Sequence, residues 1–178
     1  TLFRSAHVTE LTTRIKGIGK LITERDVEKA RARDAKLLAE CGGEVKPMPR
    51  QDVQPALTVG LLSPVQHAAR GTIFPQPLLQ NKDGQPVRMD EIFPAGWKVI
   101  FSKEAGADCL HAAATHHLPH LQVAQLGVGQ LVELENVLMN WFSKHAVVAA
   151  IVRPDHYIYG VCADLKDVTQ QLEALRLN

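Results

Sequence analysis

The sequence predicts an α/β fold in which helices flank a mixed sheet, behind two leading helices and a proline-rich arm. Three observations predict it. From Val87 onward, apolar runs of strand length alternate with segments of helical period. The last two apolar runs, residues 147–152 and 157–162, are separated only by the turn-forming Arg153-Pro154-Asp155-His156. Ahead of them, six prolines fall within residues 44–79, where they disfavour helices and central strands.

The totals exclude several classes. The 178 residues are 46% hydrophobic and 22% charged, ordinary for a globular chain. A net charge of +1 without a local Lys/Arg block removes the electrostatic footprint of a nucleic-acid binder. No apolar run approaches a membrane span, and no signal peptide opens the chain. Three widely spaced cysteines, Cys41, Cys109 and Cys162, fit a reducing compartment, so the expected location is cytoplasmic. The opening residues TLFRS are what the sequencing-adapter end ACGCTCTTCCGATCT encodes. They are expected to be read-through on a truncated gene, making this the tail of a longer protein.

The elements follow in order. Ser5 can cap a first helix whose Val8, Leu11, Ile15, Ile18 and Ile22 make one apolar face. Gly17 and Gly19 weaken it but permit close packing. Thr23-Glu24-Arg25-Asp26 resembles a capping box for a second helix that runs to about Glu40 and stops at Gly42-Gly43. The two helices are expected to turn apolar faces to each other, and the first also to a missing partner. Residues 1–43 therefore form one division. Residues 44–86 form an extended arm with a short strand over 56–61 and a turn at Asn81-Lys82-Asp83-Gly84.

Residues 87–178 form the third division. Residues 88–93 suggest a short helix and 97–101 a buried strand. A helix over 108–117 ends before Pro119. Then come a strand over 121–126, a helix over 136–145, strands over 147–152 and 157–162, and a closing helix over 164–177 with Leu165, Val168, Leu172 and Leu175 on one face. The order β-α-β-α-β-β-α is that of the thioredoxin fold, whose last two strands make an antiparallel hairpin. Arg153, Asp155 and His156 then occupy the hairpin tip, which reads as a turn rather than a catalytic triad.

Candidate chemistry is sparse. Thioredoxin-type exchange needs two thiols two residues apart at a helix N-terminus. Here Cys109 stands alone, with Gly106 and Ala112 where a second cysteine would be. His111, His116, His117 and His120 cluster, and His116 and His120 have the i, i+4 spacing of a zinc-binding helix, but Pro119 interrupts it. Gly17-Ile18-Gly19-Lys20 lies inside a helical pattern and Gly127-Val128-Gly129 opens no phosphate loop, so neither reads as a dinucleotide site. Trp97, Trp141, Phe142, Tyr157 and Tyr159 read as packing, with Tyr157 and Tyr159 on one strand face that could serve an interface. No catalytic, cofactor-binding or metal-ligating residue is assigned.

The stretches ARGTIFPQPLL and WFSKHAVVAAIVRPDHYIYGVCADL resemble the C-terminal region of class A FAD-dependent aromatic hydroxylases, in particular the 3-(3-hydroxyphenyl)propionate hydroxylase type. SAHVTELTTRIKGIGKLITERDVEKARARDAKLLAE resembles the helices that close the main body in that family. The resemblance implies that residues 87–178 are a thioredoxin-like domain without a CxxC motif, and residues 1–43 the tail of an FAD/substrate domain. It also implies a parent that uses NADH or NADPH and FAD to hydroxylate a phenolic ring. The family's FAD motifs lie upstream, so this stretch is expected to hold no cofactor and to serve as a scaffold or interface. Its implied partner is its own N-terminal FAD/substrate domain; a homodimer is a further expectation. The alternative is a free-standing, redox-inactive thioredoxin-like binding domain. A redox enzyme using Cys109 alone is a third reading. An upstream GxGxxG strand-turn-helix would separate the first two, and the thiol pKa would decide the third.

Overall fold

The computed structural model describes residues 2–44, 54–116, 118, 120–129 and 131–176, with side chains described from His7 onward. Two compact units divide the chain, Thr1–Pro55 and Ala56–Asn178.

The first unit holds α1 (Leu2–Ile22) and α2 (Val27–Glu40). The cap of α2 is Asp26 rather than the Thr23 of the expected capping box. Its carboxylate accepts the amides of Glu28 and Lys29 at 3.0 and 3.1 Å, and the Glu24 carboxylate accepts the Asp26 amide at 3.0 Å. Gly42 and Gly43 end the helix with φ of 66° and 84°, and the Gly43 amide bonds Leu38 O at 2.7 Å. The helices do not cover each other's apolar faces as expected. No residue of α2 is buried, and Val8, Ile15, Ile18 and Ile22 of α1 are 44–77% exposed. A Cβ added at Gly17 or Gly19 would meet nothing within 4 Å, so no close approach is made there.

The second unit is built on a four-stranded mixed sheet. A small antiparallel hairpin comes first, β1 (Leu78–Gln80) and β2 (Pro86–Arg88). Its turn is organised by Asn81, whose side-chain oxygen accepts the amides of Asp83 and Gln85 at 2.9 and 2.8 Å. The main sheet comprises β3 (Lys98–Phe101), β4 (Gln122–Gln125), β5 (Ala149–Val152) and β6 (Ile158–Cys162), in the order β4-β3-β5-β6. β3 and β4 are parallel; β3–β5 and β5–β6 are antiparallel. The helices are α3 (Met89–Ile92), α4 (Ala107–Ala114), α5 (Val137–His145) and α6 (Leu165–Arg176).

Every residue of β3, β5 and β6 is buried, which their near-continuous apolar runs require. One face packs Ile100, Val152 and Ile158 on Leu138 and Phe142 of α5 and on Phe74 and Leu79. The other packs Val99, Phe101 and Tyr159 on Cys109 and Ala113 of α4 and Val168 and Leu172 of α6. Helix α4 ends at Ala114, short of the expected 117, where the backbone tightens to an i→i−3 bond from the His116 amide to Ala113 O at 3.2 Å.

No strand forms over 56–61. Irregular backbone instead runs along the outer edge of β6. The amides of Ser63, Gly71 and Phe74 bond the carbonyls of Tyr159, Ile158 and His156, each at 2.9 Å, and the Ile158 amide bonds Thr72 O at 2.9 Å. An edge that would otherwise present unpaired backbone groups is thereby covered. Pro64 fits such a strap because only some of its residues need to donate.

Candidate functional site

The hairpin tip resolves as a turn that also clamps the strap. The Arg153 amide bonds Tyr157 O at 2.8 Å and the His156 amide bonds Arg153 O at 3.0 Å, with His156 at φ 67°. The Arg153 guanidinium forks onto Asp155 at 3.0 and 2.7 Å, and its remaining nitrogen bonds Leu61 O at 2.7 Å. The Arg153 side chain is 17% exposed, so this clamp is shielded better than an ordinary surface pair. Asp155 faces Arg153. His156 faces elsewhere, with its Nδ1 3.5 Å from Asp90 Oδ1 and 3.3 Å from Gln76 Nε2. The three residues are not aligned for proton relay.

The position a redox thiol would need lies after β3. The loop over 102–106 is pinned by the Gln125 side-chain amide, which reaches the carbonyls of Ser102, Lys103 and Ala105 at 3.3, 3.3 and 3.1 Å. Gly106 begins α4 without a side-chain cap, and Cys109 sits in the first turn. A helix start favours thiolate, but the surroundings oppose it. Burial, then Asp108 and Asp164, push the Cys109 thiol up, against a lowering backbone bond from Gly106. Burial and then Asp167 push Cys162 up further. Both are protonated thiols at neutral pH. Cys41 is exposed.

The structure does not gather the histidine cluster into a ligand set. His111 is on α4, whereas His116 and His120 follow its end, with His120 at φ 57°. His117 and Pro119 lie outside the described residues. Among the described residues no group of three or more His, Cys, Asp or Glu could hold a metal ion. The glycine pairs are equally unsuited to a dinucleotide. Gly17 and Gly19 are mid-helix in α1. Gly127 and Gly129, at φ 81° and 61°, form a turn closed by the Gly127 amide on Leu131 O at 2.8 Å, and no helix starts before Val137. A phosphate cradle needs amides at a helix start directly after the glycines.

The aromatics pack. Trp141 is edge-to-face with Phe74 and Phe142 at 5.2 and 5.1 Å, and Trp97 with Tyr159 at 5.9 Å. Tyr159 is wholly buried and burial pushes its phenol up. It packs in the core, as the packing reading expected, and so cannot serve the surface interface considered for it and Tyr157.

Two residues escaped the sequence reading. Lys98 opens β3 with 1% exposure; burial pulls its pKa down, opposed by Asp90, and its ammonium reaches Gly96 O at 3.5 Å. No sequence signal marks it, because a lysine at a strand end ordinarily faces solvent. Glu133 caps α5, its carboxylate accepting the Leu138 and Met139 amides at 2.7 and 2.9 Å. An acidic residue just before a helical run was the available signal.

Fold and site together define a class: a small α/β domain on a four-stranded mixed sheet flanked by helices, with a single buried cysteine at the start of α4. Residues 71–176 match the family model described as the HcaD C-terminal domain, and the chain belongs to that family. It is 29% identical to a probable NADH-specific resorcinol 4-hydroxylase of Rhodococcus jostii (strain RHA1), covering 93% of this chain and 31% of the relative. It is 30% identical to a 3-(3-hydroxy-phenyl)propionate/3-hydroxycinnamic acid hydroxylase of Mycobacterium sp. (strain JLS), covering 66% of this chain and 23% of the relative. Among solved structures, the flavin-dependent monooxygenase PieE, in complex with FAD and substrate, shares the fold with a TM-score of 0.53 at 18% identity, over 90% of this chain and 31% of that one. The chain thus spans at most about a third of the length of these relatives.

Proposed function

We propose that this chain is the C-terminal part of a flavin-dependent aromatic hydroxylase acting on a phenolic ring, and that residues 87–178 are a thioredoxin-like domain that scaffolds the enzyme without touching its chemistry. The observation that carries the reading is the match of residues 71–176 to the C-terminal domain family, together with hydroxylase relatives about three times longer. The sheet order β4-β3-β5-β6 and the lone, protonated Cys109 support the second half of the proposal. FAD, reduced by NADH or NADPH, would supply the oxygen-activating chemistry from the rest of the polypeptide, since neither glycine pair here fits a dinucleotide. The apolar stripe of α1 would pack against that same remainder.

The test has two arms. The intact reading frame, recovered and expressed, should give a yellow protein that oxidises NADH or NADPH in response to resorcinol or 3-(3-hydroxyphenyl)propionate. The 178-residue chain alone, titrated with FAD, should leave flavin fluorescence unchanged; saturable micromolar binding would overturn the scaffold assignment.

A further inference from the structure

The strap over the β6 edge is fastened to α5 by an aromatic cluster containing two histidines. His145, the last residue of α5, lies on Trp141 with ring centroids 4.7 Å apart. His67, from the strap, meets His145 edge-on at 5.7 Å. Phe74, further along the strap, closes on Trp141 at 5.2 Å. The His67 ring is fixed by its Nδ1, which accepts the Ala69 amide at 3.0 Å. The charged and titratable groups acting on His145 are His67 from the strap and Lys144 from its own helix. Both are cationic when protonated, and among the described residues no carboxylate acts on this ring to compensate. Another histidine near the strap, His156, differs in its surroundings: its Nδ1 lies 3.5 Å from Asp90 Oδ1.

We propose that the His67–His145 contact is an acid-sensitive latch, and that acidification releases residues 63–74 from the β6 edge before the sheet itself opens. Protonation of His145 places an imidazolium in a half-buried aromatic setting against the His67 ring, with the Lys144 ammonium close by on the same helix. Burial, His67 and Lys144 hold the His145 pKa below the ordinary histidine value of 6.5. The opened form, with an ordinary histidine, therefore binds protons that the latched form refuses. Latching is fully favoured above pH 6.5 and is lost progressively as pH falls toward the depressed value. What is released is an edge strand: the carbonyls of Ile158 and Tyr159 and the Ile158 amide lose their partners, leaving β6 open to another strand.

Amide hydrogen exchange on the full 178-residue chain, expressed as protection factors at about pH 7.5 and about pH 5, tests this. Gly71, Phe74 and Ile158 should lose protection several-fold at the lower pH, while Ile100 and Ile151 keep theirs. His145→Phe, which retains a ring on Trp141, should abolish the acid response. His67→Asn, which retains an acceptor for the Ala69 amide, should abolish it independently should the first variant fold poorly. The latch is refuted by strap protection that does not change with pH, by strap and core strands losing protection together, or by an acid response that survives in a folded variant.

Discussion

Gly71→Ala should cost this domain a large part of its stability, and the cost can be built from two separable terms. Gly71 has φ +77°, in the left-handed region, where a residue with a side chain costs about 1–2 kcal/mol. An added Cβ would lie 2.0 Å from Leu57 O and 3.0 Å from Leu57 C, a backbone clash that no rotamer change relieves. The Leu57 peptide must retreat, and the bond from its amide to Gly71 O, now 2.8 Å, goes with it. That bond is worth about 0.5–1.5 kcal/mol. The sum is roughly 1.5–3.5 kcal/mol before any loss of the buried Leu57 side chain, against a total of about 5–15 for an ordinary domain. Gly127→Ala isolates the first term, because Gly127 has φ +81° and nothing within 4 Å of its Cβ position. Urea denaturation of both variants, followed by tryptophan fluorescence, should show Gly71→Ala less stable than Gly127→Ala by at least about 1 kcal/mol, the hydrogen-bond term. Equal midpoints would mean that the Leu57–Gly71 contact is not made in solution and that the strap does not close on itself there.

Glu133→Ala removes both side-chain caps of α5 and should cost about 1–2 kcal/mol in the same urea assay. A disulfide reagent at neutral pH should titrate Cys41 rapidly and reach Cys109 and Cys162 only after urea is added, because the last two are buried thiols held in the protonated state. Lys98→Met should leave stability unchanged or raise it by about 1 kcal/mol or more at neutral pH, since it removes a buried charge whose desolvation the Asp90 carboxylate only partly offsets. The parent should regain that difference as pH climbs through the depressed Lys98 pKa toward 10.5, where the folded form sheds its proton first, and guanidinium melts across that range will show whether the two curves converge. Hydrogen exchange should be fast across α1 and α2 and slow at residues 99–101 and 149–152; equal protection in a monomer would contradict the exposed stripe of α1.

What was legible in the sequence was what local patterning controls. The apolar runs at β3, β5 and β6 announce fully buried strands, and the Pro154-Asp155-His156 turn fixes their hairpin, because short-range chemistry suffices for both. The prolines correctly forbade a helix in the strap, but they could not say which edge it would cover. That depends on bonds such as Ser63 to Tyr159, nearly a hundred residues apart, which leave no local trace. The strand expected over 56–61 failed for the same reason: the β-propensity of Leu57, Thr58 and Val59 gave way to the pairing that Leu57 makes with Gly71. The spacing of Tyr157 and Tyr159 could not say that helices α4 and α6 would cover Tyr159, because that covering is a long-range packing fact.

The chemistry-bearing positions argue consistently about what kind of surface matters here. A functional thiol at a helix start wants cationic neighbours and access to solvent. Cys109 has Asp108 and Asp164 beside it and is packed among Val99, Ala113 and Leu172. A catalytic arginine wants an unspent fork, whereas Arg153 uses its fork on Asp155 and its third nitrogen on Leu61. Three polar side chains are instead committed to holding the domain's own backbone: Gln125 the loop before α4, Glu133 the start of α5, Arg153 the strap. By contrast, Val8, Ile15, Ile18 and Ile22 hold no backbone and are left 44–77% exposed. Burying one such side chain is worth roughly 1.5–3 kcal/mol, so the stripe is the largest unspent source of binding free energy identified in the first unit. Polar side chains that fasten backbone in one unit, and uncovered apolar surface in the other, are consistent with the proposed scaffold role, under which Ile15 and Ile18 should be the positions most sensitive for assembly.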